Sequence, residues 1–365
     1  LKITTPILFL IFNRPNTTIQ VLQEIRKVAP SRLYIACDGA RTHKEGEKEK
    51  VQETRELVLK NIDWECEVKT LFRDNNLGCK EAVSGAISWF FENEEMGIIL
   101  EDDCLPSQSF FPFCEELLIK YKEDTRIWLI GGTNFLSKFH LENSPKYYFS
   151  KYDRSWGWAS WRRAWKNYDK KLSLWPEIKN KNVLKNILYS DKEAKMYNHI
   201  FELTYQGKID TWDYQWLFAV LINNGLSIIP ETNLISNIGF GGDATHTFNG
   251  EHPYANLNRG EVLFPLQHPS TIIPDFEKGI YKVKNYIFKK GDKIRITVVG
   301  GVNTITETYE LSNDFLTPPS CNAPTNDRGL AVADLSQNAC VPGGARLLWE
   351  VITSYTSREL TDLVT

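Results

Sequence analysis

Over the first 132 residues, short apolar runs alternate with amphipathic segments of helical period, and this alternation limits the fold more than any other feature of the chain. Pro6 to Phe12 reads as a fully buried strand. Asn13-Arg14-Pro15-Asn16 breaks it, and Thr17 to Ala29 then sets Val21, Leu22, Ile25 and Val28 at helical spacing behind a good N-cap. Leu33 to Cys37 predicts a second strand ending in Asp38-Gly39, and residues 47–61 predict a charged, exposed helix. Cys66 to Phe72 predicts a third strand, ending in Arg73-Asp74-Asn75-Asn76-Leu77-Gly78. A helix over 80–91 follows, with Ala82, Val83, Ala86, Ile87 and Phe90 on one face. Gly97 to Leu100 is the next strand, 108–121 a helix, and 126–130 a strand closing in Gly131-Gly132. Such a series predicts a parallel sheet with right-handed crossovers, whose ligand crevice lies beyond the carboxyl ends of the strands.

Those ends hold the polar chemistry: Asn13 and Arg14, then Asp38, then Arg73-Asp74-Asn75, then Glu101-Asp102-Asp103. Three consecutive acids repel one another, and an oxygen-rich cluster of this kind suits a hard divalent ion such as Mg²⁺ or Mn²⁺. Taken alone the triplet reads equally as a solvated loop. Its convergence with the other strand ends on one sheet edge is what points to a site. No GxGxxG follows the first strand and no GxxxxGK[ST] occurs, which excludes the usual dinucleotide and P-loop signatures.

Composition narrows the classes further. With 42% hydrophobic and 24% charged residues in 365, the chain is ordinary for a globular protein of two domains, or one large α/β domain with an appendage. A net charge of −3 supplies no basic field for nucleic acid. No apolar run approaches the ~20 residues of a membrane span. The chain begins at Leu1 without Met, so removal of an N-terminal segment stays open. Seven cysteines without a CxxC argue against a zinc site or a complete disulfide framework and make a reducing compartment the default.

Beyond residue 132 the chain is aromatic. Tyr147, Tyr148, Phe149 and Tyr152 precede Ser155-Trp156-Gly157-Trp158-Ala159-Ser160-Trp161, with Trp165 close behind. Trp suits stacking on a sugar or base, and equally suits a packing layer between sheet and helices. Residues 178–209 look helical. In Ile209-Asp210-Thr211-Trp212-Asp213-Tyr214, Asp210 or Thr211 is placed to cap a helix burying Leu217, Phe218 and Leu221, with Asp213 in its first turn. Asp213 is there either for the helix dipole or as a general base beside a Trp-lined cavity. Gly225 to Ile229 is a further strand, and the segment Asn233 to Thr247, with His246, has the glycines and small polar residues of a loop able to close over phosphates. His246 is as readily a packing residue as a ligand. Composition shifts near Lys289: residues 290–365 hold one of 11 Trp and two Lys, with strands expected over 294–299 and 304–311 as a hairpin. Cys321 and Cys340 would pair only under oxidising conditions.

These motifs in this order resemble the nucleotide-sugar glycosyltransferases of the GT-A fold, over roughly the first 285 residues. The likeness is to the branch of the Golgi N-acetylglucosaminyltransferase that starts complex N-glycans and to related bacterial and viral sugar transferases. It rests on Asn13-Arg14-Pro15, Cys37-Asp38-Gly39, Asp74-Asn75-Asn76-Leu77-Gly78, Glu101-Asp102-Asp103, Trp156-Gly157-Trp158 and Trp212-Asp213-Tyr214. The resemblance implies a Rossmann-like, mostly parallel central sheet flanked by helices over 1–289, with a nucleotide-binding half (1–132) and an acceptor half (133–289). Residues 290–365 would form a small β-rich extension. It implies that Arg14 and Asp38 hold the nucleotide, with Asn13, Arg73 and Asn76 on the same side, and Glu101 and Asp102 facing ribose and uracil. Asp103 would ligate Mn²⁺ or Mg²⁺ on the diphosphate, helped by His246. Trp156 and Trp158 would shape the sugar side, and Asp213 would deprotonate the acceptor, with Asp210 as rival base. The partners implied are a UDP-sugar and a glycan or glycoconjugate hydroxyl, in a cytoplasmic setting with a membrane-peripheral position left open.

The chemistry is coherent. The leaving diphosphate gains negative charge that a divalent ion neutralises, and a base on the opposite face gives single-step inversion, although a retaining course stays open. A nucleotidyltransferase would carry a Gly-rich basic loop after the first strand, which Asn13-Arg14-Pro15-Asn16 is not. A non-catalytic carbohydrate-binding protein would accommodate the aromatics but leave Asp103 and Asp213 together unexplained.

Overall fold

Each residue of the first strand, β1 (Ile7–Ile11), is buried, because both faces of the sheet are covered. Alternation divides its side chains. Ile7, Phe9 and Ile11 enter one apolar cluster and Leu8 and Leu10 the other. The computed structural model describes residues 2–135, 145–240 and 256–275, and the backbone of two strands at 293–300 and 303–310.

After β1 come α1 (Pro15–Val28), β2 (Arg32–Cys37), α2 (Glu47–Lys60), β3 (Glu67–Phe72), α3 (Cys79–Asn93) and β4 (Met96–Glu101). Helix α1 begins two residues before the expected Thr17. Pro15 fills its first turn, where a missing N–H costs nothing, and no side chain caps it. Then follow β5 (Cys104–Pro106), α4 (Phe110–Lys120), β6 (Ile127–Gly131), β7 (Tyr147–Ser150) and β8 (Trp158–Trp161). The helices α5 (Arg162–Trp165), α6 (Trp175–Asn180), α7 (Leu184–Ile187), α8 (Asp191–Tyr205) and α9 (Asp213–Ile222) lead to β9 (Leu226–Pro230) and β10 (Ile235–Asn237).

The large sheet has the order β3-β2-β1-β4-β8-β6-β9-β7. It is a mixed α/β architecture, a large central sheet with helices on both faces. The pairs β3–β2, β2–β1, β1–β4 and β6–β9 are parallel, whereas β8 and β7 run against their neighbours. Both reversed strands come from the aromatic segment, where the sequence suggested no strand. Helices α1 and α4 pack on one face through Val21, Leu22, Ile25, Phe113 and Leu117. Helices α3 and α9 cover the other through Ala86, Ile87, Phe90, Trp216 and Val220.

The chain divides into two compact units, Leu1–Gly279 and Ile280–Thr365. Within the second, β11 (Lys293–Gly300) and β12 (Asn303–Glu310) pair antiparallel, Lys293 opposite Glu310 and Gly300 opposite Asn303.

Candidate active site

The chain runs from β1 outward through β2 to β3, then returns to lay β4 on the other side of β1. That reversal opens a crevice between the carboxyl ends of β1 and β4, the position where α/β sheets receive ligands. Leu10 lies opposite Glu101, so Phe12 and Asp102 emerge together. The Phe12 N–H donates to Asp102 Oδ2 at 3.0 Å. Arg14 follows and donates through Nη1 to Asp103 Oδ2 at 2.7 Å, with Asp102 Oδ1 3.9 Å away.

The three acids are therefore unequal. Burial, followed by the charge of Asp103, pushes the Asp102 carboxyl up to about 7 despite Arg14 and the Phe12 N–H. Burial also raises Glu101 well above the carboxylate range, with Asp103, Asp102 and Asp213 adding to the push. One guanidinium thus faces three crowded carboxyl groups at the switch point.

A second small sheet brings distant backbone to Asp103. Strand β10 pairs antiparallel with β5, Asn237 opposite Cys104. Ile238 N–H then donates to the Asp103 carbonyl at 2.8 Å, and Gly239 N–H to Asn237 Oδ1 at 2.9 Å. A Cβ on Gly239 would stand 2.2 Å from Asp103 Oδ2, so only glycine allows this approach. Next, the Phe240 ring packs edge-on against Trp156, centroids 5.8 Å apart, and Trp156 against Phe135 at 5.4 Å. His246 lies outside the described residues.

Trp156 and Trp158 separate at this point. Trp156 is partly buried beside the crevice. Trp158 is fully buried, stacked on Trp212 at 5.8 Å and 17°, and presents no surface to a ligand. Its expected contact with the donor sugar is corrected: it is core. Gly157, at φ +61°, turns the chain between them, so the two indoles pack with opposite faces of the sheet.

Asp38 and Asn76 reach the same edge but face each other. Asp38 Oδ2 accepts from Asn76 Nδ2 (3.0 Å), Leu77 N–H (2.9 Å) and Gly78 N–H (3.1 Å). Burial raises this carboxyl above its ordinary value, and the backbone donors of Leu77, Gly39 and Gly78 hold the rise in check. Arg73 donates to the Ala82 carbonyl (3.3 Å), while Arg55 Nη2 ties the carbonyls of Asp38 (3.1 Å) and Arg73 (2.6 Å). These residues fasten the loop ahead of α3. Asn13 turns toward Glu47, its Nδ2 donating to Oε1 at 2.9 Å.

On the far side, Asp213 is the first residue of α9. Neither Asp210 nor Thr211 caps that helix: the cap position is Trp212, without a side-chain bond. Instead, Thr211 Oγ1 and Tyr214 N–H (3.0 Å) both donate to Asp213 Oδ1. Asp210 Oδ2 lies 3.3 Å from where a Gly78 Cβ would stand. Between the two sides sits Cys79, whose thiol is raised by burial and then by the charges of Glu101, Asp213, Asp210 and Asp38. The fold thus gathers four acids from three segments around the start of α3.

Three site-edge residues were not singled out from the sequence. Asp153 is pushed up to about 7, first by burial and then by Asp213, with Arg154 opposing. Arg41 and Glu47 form an ion pair bordering Asn13. Nothing in local spacing marks them, because their partners lie on other segments. Among the described residues, no three His, Cys, Asp or Glu converge as a closed metal-ligand set. The five described cysteines are unpaired, and no described helix is long and apolar enough to cross a membrane.

No family model and no curated protein matches this chain. Solved structures do. One is the galactosyltransferase LgtC in complex with donor and acceptor sugar analogs, at 12% identity over 59% of this chain and 70% of that one, TM-score 0.31. S. aureus TarS (residues 1–349) is similar at 8% identity over 64% of this chain and 59% of its own, TM-score 0.35. GalNAc-T7 with UDP, GalNAc and Mn²⁺ is similar at 12% identity over 62% of this chain and 42% of its own, TM-score 0.35.

Proposed function

We propose that residues 1–289 form a GT-A glycosyltransferase, moving a sugar from a UDP-sugar donor to a hydroxyl of a glycan or other glycoconjugate with inversion. The observation that carries this reading is the pairing of two poles across one crevice. Arg14 and the 101–103 acids stand at the β1–β4 switch point, and Asp213, at the N-terminus of α9, is close enough for its charge to act on Glu101.

The donor chemistry of the first pole fits a hard cation. Carboxyl groups outnumber guanidinium there, and Asp103 is more exposed than Asp102. Mg²⁺ and Mn²⁺ need few protein carboxylates and complete their shell with phosphate oxygens and water, so a closed cage is not required. Asp103 would hold the ion, which when bound offsets charge building on the departing diphosphate. Arg14 adds a fixed positive charge at the same place. Glu101 and Asp102 line the nucleotide side, with Asn13, Asp38, Arg73 and Asn76 shaping its floor through the bonds described above.

Trp156 supports one wall of the sugar pocket, backed by Phe240 and Phe135. Asp213 Oδ1 is occupied by Thr211 and Tyr214, which fixes the carboxylate and leaves Oδ2 to accept the acceptor proton. The acceptor oxygen bonds to the anomeric carbon as the bond to the diphosphate oxygen breaks, and the hydroxyl proton passes to Asp213. Residues 290–365 are proposed as a separate β-rich module.

An assay of UDP release from UDP-sugars, with Mn²⁺ and glycan acceptors, tests this reading. Wild type should release UDP, Asp213→Asn should not, and Asp210→Asn should resemble wild type. Full activity in Asp213→Asn with loss in Asp210→Asn would transfer the base role to Asp210. No release from any nucleotide sugar would defeat the enzymatic reading.

A further inference from the structure

Glu47, the first residue of α2, is 3% exposed yet carries a charge. Arg41 embraces it. The Arg41 backbone N–H donates to Oε2 at 2.8 Å, its Nε donates to Oε1 and Oε2 at 3.1 and 2.9 Å, and its Nη2 donates to Oε1. Asn13 Nδ2 adds a further bond at 2.9 Å. Burial would raise this carboxyl, but Arg41 and Asn13 outweigh it and hold Glu47 below its ordinary value, ionised. Buried ion pairs are a weak source of stability, so position is the more informative product. Here the pair joins the loop after β1, through Asn13, to the loop after β2, through Arg41.

The geometry leaves one edge of Arg41 available. Its guanidinium lies over the Phe12 ring, 5.6 Å from the centroid, and its side chain is 22% exposed. Nη1 has no hydrogen-bond partner among the described residues, whereas Nε and Nη2 are both engaged. Phe12 in turn donates its N–H to Asp102, so Arg41 stands one strand away from the switch point. Glu47 balances the Arg41 charge. What remains at Nη1 is a directed donor pair with little net field, better matched to a neutral carbonyl oxygen than to a second anion.

We infer that Arg41, clamped by Glu47 and Asn13, is a specificity-determining residue that donates from Nη1 to a ring carbonyl of the donor's pyrimidine base. This rests on the reading of the crevice as a nucleotide-sugar site. Glu47 acts through Arg41 and is a positioning residue.

The test is competition binding with UDP and with uridine, Mn²⁺ present, on wild type, Arg41→Lys and Glu47→Gln, with melting temperatures recorded alongside. Arg41→Lys keeps the charge that Glu47 needs and removes the fork. It should weaken UDP and uridine by the same factor, on the order of tenfold, with a melting temperature close to wild type. Glu47→Gln should do likewise where it folds, and Arg41→Lys carries the test if it does not. A loss confined to UDP would put Arg41 on phosphate and overturn the inference. Unchanged affinity for both probes would leave a purely structural clasp and overturn it as well. Wild type binding neither probe would remove the nucleotide reading and this inference together, an outcome distinct from failure of the variant alone.

Discussion

Strand β4 carries two regions with opposite physics. Ile99 packs into a layer of indoles in which Trp158 stacks with Trp212 and contacts Trp216, while Trp165 lies 5.0 Å from Trp216. Two residues later Glu101 begins a cluster of acids in which burial and neighbouring carboxyl groups push Glu101 and Asp102 upward. The indole layer is dense and held by packing, with the Nε1 groups of Trp158 and Trp216 buried without a hydrogen-bond partner among the described residues. The acid edge crowds carboxyl groups against one another and is unfavourable in isolation, a local cost that a core arranged for stability alone does not carry. Substitutions in the layer should cost stability, and those at the edge should cost function while leaving stability nearly intact.

The largest expected effect breaks function alone. Asp213→Asn should lower turnover on the order of 10²–10⁴-fold, with UDP affinity by calorimetry unchanged. A parallel loss of affinity would make Asp213 part of the donor site instead. Next, Trp158→Ala should destabilise the fold by about 3–5 kcal/mol in urea unfolding. A cost under ~1 kcal/mol would mean the layer is not the packing element described, since surface substitutions lie in that range.

Gly239→Ala sharpens the boundary between the two regions. Its Cβ would meet Asp103 Oδ2 at 2.2 Å. Displacing that carboxylate should weaken Mn²⁺-dependent UDP binding by on the order of ten- to a hundredfold. Because Asp103 Cβ would also stand 2.7 Å away, melting in the absence of ligand should fall as well, and unchanged Mn²⁺-dependent UDP binding would separate Gly239 from the site.

The smallest effect is a pH dependence. Asp153 has a folded-state pKa of about 7, above its ordinary value, so the folded protein holds a proton there that the unfolded chain has released. Its contribution is fully present below about pH 4 and is lost as pH rises through about 7. Asp153→Asn should flatten that decline by of order 1 kcal/mol, read as unfolding free energy across pH 4–8. An identical slope in the variant would show that Asp153 is exposed and ordinary.

The N-terminal elements were legible because buried parallel strands and amphipathic helices announce themselves by period. β2 and β3 begin one residue from where the pattern puts them, and α2 starts at Glu47 as read. The aromatic segment was not legible in the same way. Its two strands, β7 and β8, are four residues each, and their reversed direction is decided by pairing with β9, β4 and β6 rather than by local pattern. The Trp156–Trp158 pair shows why parity fails there: Gly157 in the left-handed region resets the alternation, sending one indole to the crevice and the other to the core. At the site, Arg14 and the acid triplet could be read because strand ends converge. Glu47 could not, since its burial and its bond to Asn13 span 34 residues of sequence. Asp38 and Asn76 were read at the strand ends, but their mutual bond joins residues 38 apart in sequence and no local pattern marks it.

The most direct measurement is a thermal-shift series of wild type with UDP, other nucleoside diphosphates and UDP-sugars, each with Mn²⁺ and with chelator. Ligand at about 100 times its dissociation constant stabilises the native state by ~2.7 kcal/mol. The account predicts a rise in melting temperature with UDP that requires Mn²⁺ and disappears in Asp103→Ala. A chain whose melting is indifferent to every nucleotide, with or without metal, would contradict the nucleotide-sugar site at the β1–β4 switch point.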